Sequence, residues 1–228
     1  MWTHLALCAL SLAPQQTQKK PDPTVPPLDR EKLAAFVAAL GRAAIETEGV
    51  PGLTIAVAHE GQVVYAQGYG YADAAHAIPA KRDTRYPIGS LTRQFTATAI
   101  LQLVDADKLG LDDPLAKLLP EFPTGGRTVT LRQMLANTSG IPGFERLVAA
   151  HPEIATQDLD EKEFFARFAD VPFDFEPGTD FRLDSANYVL LSMIVARASG
   201  QPYTEYVTRQ VLEPVGLVST RFCPPKDR

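Results

Sequence analysis

Ser90 and Arg93 stand three positions apart in the run Tyr86-Pro87-Ile88-Gly89-Ser90-Leu91-Thr92-Arg93-Gln94-Phe95-Thr96-Ala97. The Pro/Gly-punctuated turn delivers a serine onto the first turn of an apolar helix, with the guanidinium one turn further along the same face. Two readings are open for Ser90. As an N-cap it would contribute about 1 kcal/mol to the helix. As a nucleophile it would use the unpaired N–H groups and the positive dipole end of the helix start, which favour an alkoxide and a developing oxyanion. A nucleophilic serine also needs a base, and Arg93 cannot be one, because a guanidinium keeps its proton to a pKa of about 12 or higher. Arg93 can position groups and stabilise charge. A second polar group stands in Leu183-Asp184-Ser185-Ala186-Asn187. Asp184 has three uses open to it: an improvised base, a partner for Arg93, or a helix-capping or solvated loop carboxylate. Pairing with Arg93 would depress its pKa and weaken it as a base at neutral pH.

Four segments share an order that points further. They are Ile88 to Thr96, then Leu109-Gly110-Leu111-Asp112-Asp113-Pro114-Leu115, Leu135-Ala136-Asn137-Thr138-Ser139-Gly140-Ile141-Pro142, and Asn187-Tyr188-Val189-Leu190-Leu191. Together they resemble the serine β-lactamase and penicillin-binding-protein superfamily, most closely its class C β-lactamase-like hydrolases and esterases, over about residues 28–222. The resemblance implies an α/β (α+β) fold: a mainly helical lobe plus an antiparallel sheet lobe, the sheet incomplete here. It implies acyl-Ser90 chemistry on esters, amides or peptidoglycan-type peptides, with a small-molecule or peptide acyl substrate and no cofactor.

Carried over residue by residue, the resemblance puts Arg93 at the family's lysine position, Leu183 at its tyrosine and Ser185 at its asparagine. Asp184 and Asn187 fall among the substrate-binding positions. A shifted register would instead read Ser185-Ala186-Asn187 as a Ser-x-Asn motif with Ser185 as proton shuttle, at the cost of displacing the following helix from its buried face. Arg93 and Leu183 each replace a proton-handling group. The family also continues beyond Phe222 into further strands, a Lys/His-Thr-Gly element and a C-terminal helix, whereas this chain stops at Arg228. The expectation is a serine hydrolase relative with impaired catalysis. The alternative is a non-catalytic binding or sensor relative, or a truncated gene product.

The elements that must position these groups follow the hydrophobic pattern. Leu33, Phe36, Val37, Leu40, Ala44 and Ile45 predict an amphipathic helix over 28–48, capped by Asp29 and stopped by Gly49. Leu53 to Ala58 and Val63 to Ala66 predict a hairpin turning at Glu60-Gly61. The glycines and alanines of 68–80 read as a loose connection. Phe95, Ala99, Ile100, Leu103 and Val104 form the core stripe of the helix after Ser90, predicted to close at Leu109-Gly110. A short helix is expected over 131–135, another with Phe164, Phe165 and Phe168 inward, and a third over 188–198 that is apolar nearly all round. The domain thus divides into part of an α/β lobe over 28–85 and a helical lobe over 86–212.

The 228 residues are 45% hydrophobic, enough to bury a sizeable core. Twenty-two Lys and Arg against 27 Asp and Glu give a net charge of −5, which argues against nucleic acid as a partner. The apolar run Leu5 to Ala13 is too short to span a bilayer and reads as a signal-peptide core within residues 1–13, although no Lys or Arg precedes it and Pro14 follows. Secretion or periplasmic export is the expected localisation, with the cytoplasm as alternative. Residues 14–27 form a Pro/Gln-rich tether. Cys8 and Cys223 are the two cysteines, and the four histidines are scattered without metal-ligand spacing.

Overall fold

In the structure, a computed structural model, residues 27–157 and 159–223 are described; the expected signal segment and all but the last residue of the tether lie outside them. The chain divides into two units at Thr84/Arg85. Among the described residues, no helix is long and apolar enough to cross a membrane.

The first unit is one helix and a three-stranded antiparallel sheet of order β1-β2-β3, with β1 at Gly52–His59, β2 at Gln62–Asp73 and β3 at Ile78–Pro79. Glu60 and Gly61 turn the hairpin with φ of 49° and 74°, the left-handed pair that matches the twist of the flanking strands. Register runs from Gly52 opposite Gly70 to His59 opposite Gln62, shifting between Val57 and Ala58. The stretch read as a loose connection is largely strand. Gly68 lies within β2 because a Cβ there would meet the Ala80 carbonyl oxygen at 2.3 Å, so the neighbouring backbone approaches too closely for a side chain.

Helix α1 (Arg30–Glu46) starts where Asp29 accepts a hydrogen bond from the Lys32 N–H. Its buried stripe is narrower than the periodicity predicts. Val37 and Gly41 are buried, while Phe36 and Leu40 are 63% and 50% exposed. Gly41 lets the helix close on the sheet, since a Cβ there would stand 2.5 Å from the Tyr69 ring.

The second unit is helical. It contains α2 (Thr92–Asp105), α3 (Leu115–Leu118), α4 (Leu131–Leu135), α5 (Phe144–Ala150), α6 (Glu161–Ala166), α7 (Ala186–Ser199) and α8 (Tyr203–Val207). Helices α2 and α7 pack on each other, burying Ala99, Ile100 and Leu103 from one and Leu190, Leu191, Ile194 and Val195 from the other. Phe122, Phe164, Phe165 and Phe168 form a cluster of edge-to-face and tilted ring pairs beside them, with ring centroids 4.9–6.5 Å apart. Reciprocal capping boxes set the starts of α4 (Thr130 and Gln133) and α6 (Asp160 and Glu163). Helix α2 ends four residues before the predicted stop. Asp107 takes φ of 55°, and the Lys108 and Leu109 N–H groups fold back onto the Leu103 carbonyl. Aspartate tolerates that left-handed conformation, so the chain leaves the helix before it reaches Gly110.

Candidate active site

Gly89, at φ of 49°, opens a single 3-10 turn over Gly89–Leu91 that leads into α2. Ser90 lies inside this turn and is exposed. The capping reading fails: Ile88 and Leu91 occupy the cap positions, and no side chain caps either helical start. Among the described residues the Ser90 hydroxyl has no hydrogen-bond partner. It is uncommitted at the positive end of a 14-residue helix.

Arg93 follows one turn later and is half-buried. Its Nη2 donates to Ser185 Oγ at 3.2 Å. Its guanidinium carbon lies 5.5 Å from the centre of the Tyr188 ring, within cation–π range. The Tyr188 hydroxyl is anchored in turn, donating to the Leu135 carbonyl at 3.1 Å. The structure therefore brings together Arg93 and Ser185, which are 92 residues apart in sequence, and adds Tyr188. The sequence places Tyr188 in a helix and in the Asn187–Leu191 segment, without a role at the site. Its spacing of three from Ser185 was the available signal, since that puts both on one helical face.

A loop and the irregular segment 174–182 build the other half of the site. Asn137 holds φ of 57° and Gly140 φ of 72° in the loop after α4. Backbone carbonyls of Asn137, Thr138 and Gly140 accept from the N–H groups of Arg182, Gly178 and Asp174. The segment 174–182 is thereby fastened along the loop and delivers Leu183-Asp184-Ser185 to the start of α7. Asp174 locks the segment from its side chain, which is 2% exposed. It pairs with Arg146 and with Arg182, the latter at 2.9 Å.

Of the uses open to Asp184, helix capping is the one the structure shows. Asp184 does not pair with Arg93. Its Oδ1 accepts from the Phe144 N–H at 2.9 Å and from the Ala186 N–H at 2.6 Å, at the starts of α5 and α7. It caps two helices through this one oxygen. Asn187, placed among substrate-binding positions, is buried, and its Oδ1 accepts from Ser139 Oγ at 2.6 Å. The Ser139 hydroxyl also accepts from the Ile141 N–H at 3.2 Å. Asn187 therefore ties α7 to the loop and does not open to solvent. Leu183 is 63% exposed and offers no proton-handling group where the resemblance expects a tyrosine.

Comparison with known proteins matches the Beta-lactamase family model over residues 32–228. A putative penicillin-binding protein, PbpX of Bacillus subtilis (strain 168), is 32% identical over 210 residues, covering 91% of this chain and 49% of the relative. Among solved structures, EstCE1, a hydrolase with promiscuous acyltransferase activity, superposes with a TM-score of 0.73 at 25% identity, over 82% of this chain and 52% of that one. A class C beta-lactamase solved with cefoxitin gives 0.74 at 22% identity, over 88% and 54%; it shares the fold. The chain spans about half the length of these relatives.

Proposed function

Because this chain belongs to the beta-lactamase family, we propose that Ser90 is its acyl-accepting nucleophile and that the site takes acyl substrates while turning them over slowly. The observation that carries the proposal is the uncommitted Ser90 hydroxyl one turn ahead of a guanidinium fixed by Ser185 at 3.2 Å. Likeness to a hydrolase with acyltransferase activity adds support for acyl chemistry on esters, amides or peptidoglycan-type peptides.

Attack by Ser90 Oγ on an acyl carbon forms the C–O bond and moves an electron pair onto the carbonyl oxygen. The helix-start N–H groups and dipole stabilise the resulting oxyanion, and Arg93 adds positive charge. The hydroxyl proton has no acceptor in this group. Arg93 is cationic, Leu183 is apolar, and Asp184 is engaged at the starts of α5 and α7 with no hydrogen bond to Ser90. Loss of a positioned base costs about 10²–10⁴-fold in rate, so acylation is slow and water is activated no better in the second half-reaction. A role in binding or sensing acyl ligands follows from the same groups.

A fluorescent acyl-serine probe tests this on the full chain. Slow labelling that maps to Ser90 and disappears in Ser90→Ala is expected, with negligible hydrolysis of β-lactams or simple esters. Labelling that survives Ser90→Ala would remove Ser90 as nucleophile; Ser90-dependent hydrolysis at ordinary enzyme rates would remove the slow-turnover reading. Export belongs to the same proposal, and N-terminal sequencing of the chain from a secreting host checks for cleavage near Ala13.

A further inference from the structure

Among the described residues, the half-buried arginines are Arg93, Arg127, Arg146 and Arg167. Three of them meet a carboxylate. Arg127 lies 2.9 Å from Glu176, Arg167 lies 3.0 Å from Glu153, and Arg146 pairs with Asp174. Arg93 alone has no carboxylate within ion-pair reach among the described residues. Its polar partner is a neutral hydroxyl. A guanidinium taken partly out of water without a counter-anion carries a desolvation penalty that a neutral hydroxyl and an aromatic face offset less fully than a carboxylate would. It is nonetheless held in place, between Ser185 and the face of Tyr188. A planar fork with uncommitted N–H donors and restricted freedom fits a carboxylate through two parallel hydrogen bonds.

We infer that Arg93 is the receptor for the carboxylate of a small apolar acid, bound intact beside Ser90. The inference rests on the reading of this site as an acyl site and names its ligand class: an aryl or alkyl carboxylate. Charge selects the anion. Apolar surface for the hydrocarbon is offered by the half-buried Tyr188 ring, which lies 5.5 Å from the Arg93 guanidinium carbon. Such a side chain contributes to binding when a ligand's hydrocarbon covers it. The carboxylic acid released from a hydrolysed acyl-serine belongs to the same class, so the position that ordinarily handles the proton here retains the product. No bond forms or breaks on binding.

Calorimetric titration of the full chain with phenylacetate, and with phenylacetamide as its neutral isostere, tests the inference without altering the protein. Saturable binding of the acid, about tenfold or more tighter than the amide, is expected from a charge-assisted pair. Arg93→Gln should lose about tenfold or more of the acid's affinity and leave the amide's unchanged. Arg93→Lys should fall between them, since it keeps the charge and loses the fork. Equal affinities for acid and amide, unchanged acid affinity in Arg93→Gln, or no saturable binding at millimolar phenylacetate would each overturn it. Probe labelling of Ser90 is read separately. Acid binding without labelling sinks the acyl reading alone, and labelling without acid preference sinks this inference alone.

Discussion

Replacing Asp184 with alanine should destabilise the helical unit through two helices at once. The carboxylate accepts from the first N–H of α5 at 2.9 Å and the first N–H of α7 at 2.6 Å. Both donors are otherwise orphaned, because no side chain caps Gly143 or Ser185. Losing a cap costs about 0.5–2 kcal/mol, and a buried donor left unpaired costs about 1–3 kcal/mol. Ala186 is fully buried and Phe144 half-buried, so the α7 donor lies toward the upper end and the α5 donor toward the lower. The sum is about 2–4 kcal/mol, a large share of a total stability of about 5–15 kcal/mol. At about 2–4 °C per kcal/mol for a domain of this size, Tm should fall by about 5–15 °C. Asp184→Asn keeps an acceptor oxygen and should lose less than half as much. Circular dichroism melts of the three proteins at one concentration and pH make the comparison. An Asp184→Ala melt within about 1 °C of the parent would refute the double cap.

Three further outcomes are expected. Ser139→Ala leaves the buried Asn187 Oδ1 without its 2.6 Å donor and should cost about 1–3 kcal/mol in urea unfolding; a midpoint equal to the parent's would contradict the link. Gly140→Ala combines a left-handed φ of 72° with a Cβ placed 1.9 Å from the Phe175 carbonyl oxygen, so it should cost at least about 1–3 kcal/mol from backbone strain alone. Equilibrium unfolding should show a larger loss than Gly178→Ala, where the Cβ would meet only the end of the Gln133 side chain at 3.0 Å. Acid stability should depend on Asp113, whose carboxyl is held below its ordinary pKa first by Lys117 at 2.6 Å and then by the Gly110 N–H. A depressed folded-state pKa stabilises above the unfolded value of about 3.9 and loses that contribution as pH falls through the folded one. Asp113→Asn should therefore flatten the loss of Tm below about pH 4, and an unchanged acid limb would exclude Asp113 as a contributor.

Much of this molecule was legible because the signals were local. The hairpin at Glu60-Gly61 needs only two residues that tolerate positive φ between β-rich runs. The helix over 131–135 is announced by Thr130 and Gln133 three apart. What was missed depends on partners distant in sequence. Gly68 and Gly70 look like loop glycines until β3 and the segment before β1 are laid against them. Phe36 and Leu40 satisfy the helical period, yet the sheet beneath α1 takes only the Val37 and Gly41 side. In the candidate site, the placement of Ser90 on a helix start and of Arg93 one turn later was readable. The double cap by Asp184 was not, because it needs the start of α5, 40 residues upstream.

The pairing of Arg93 with Ser185 spans 92 residues, and that separation gives the site a clock. A ribosome adding about 5–20 residues per second exposes Ser90 and Arg93 roughly 5–20 s before Ser185 has been made. During that interval the nascent chain carries the serine and the cation with α7 still unsynthesised. Closing so long a loop must precede the contact that rewards it, so Arg93 meets Ser185 and Tyr188 only when the α2–α7 pairing is complete. Formation of the Arg93–Ser185 contact thus dates the end of folding in this unit, and a chain stalled before residue 185 would carry Ser90 and Arg93 without the partner that fixes the guanidinium.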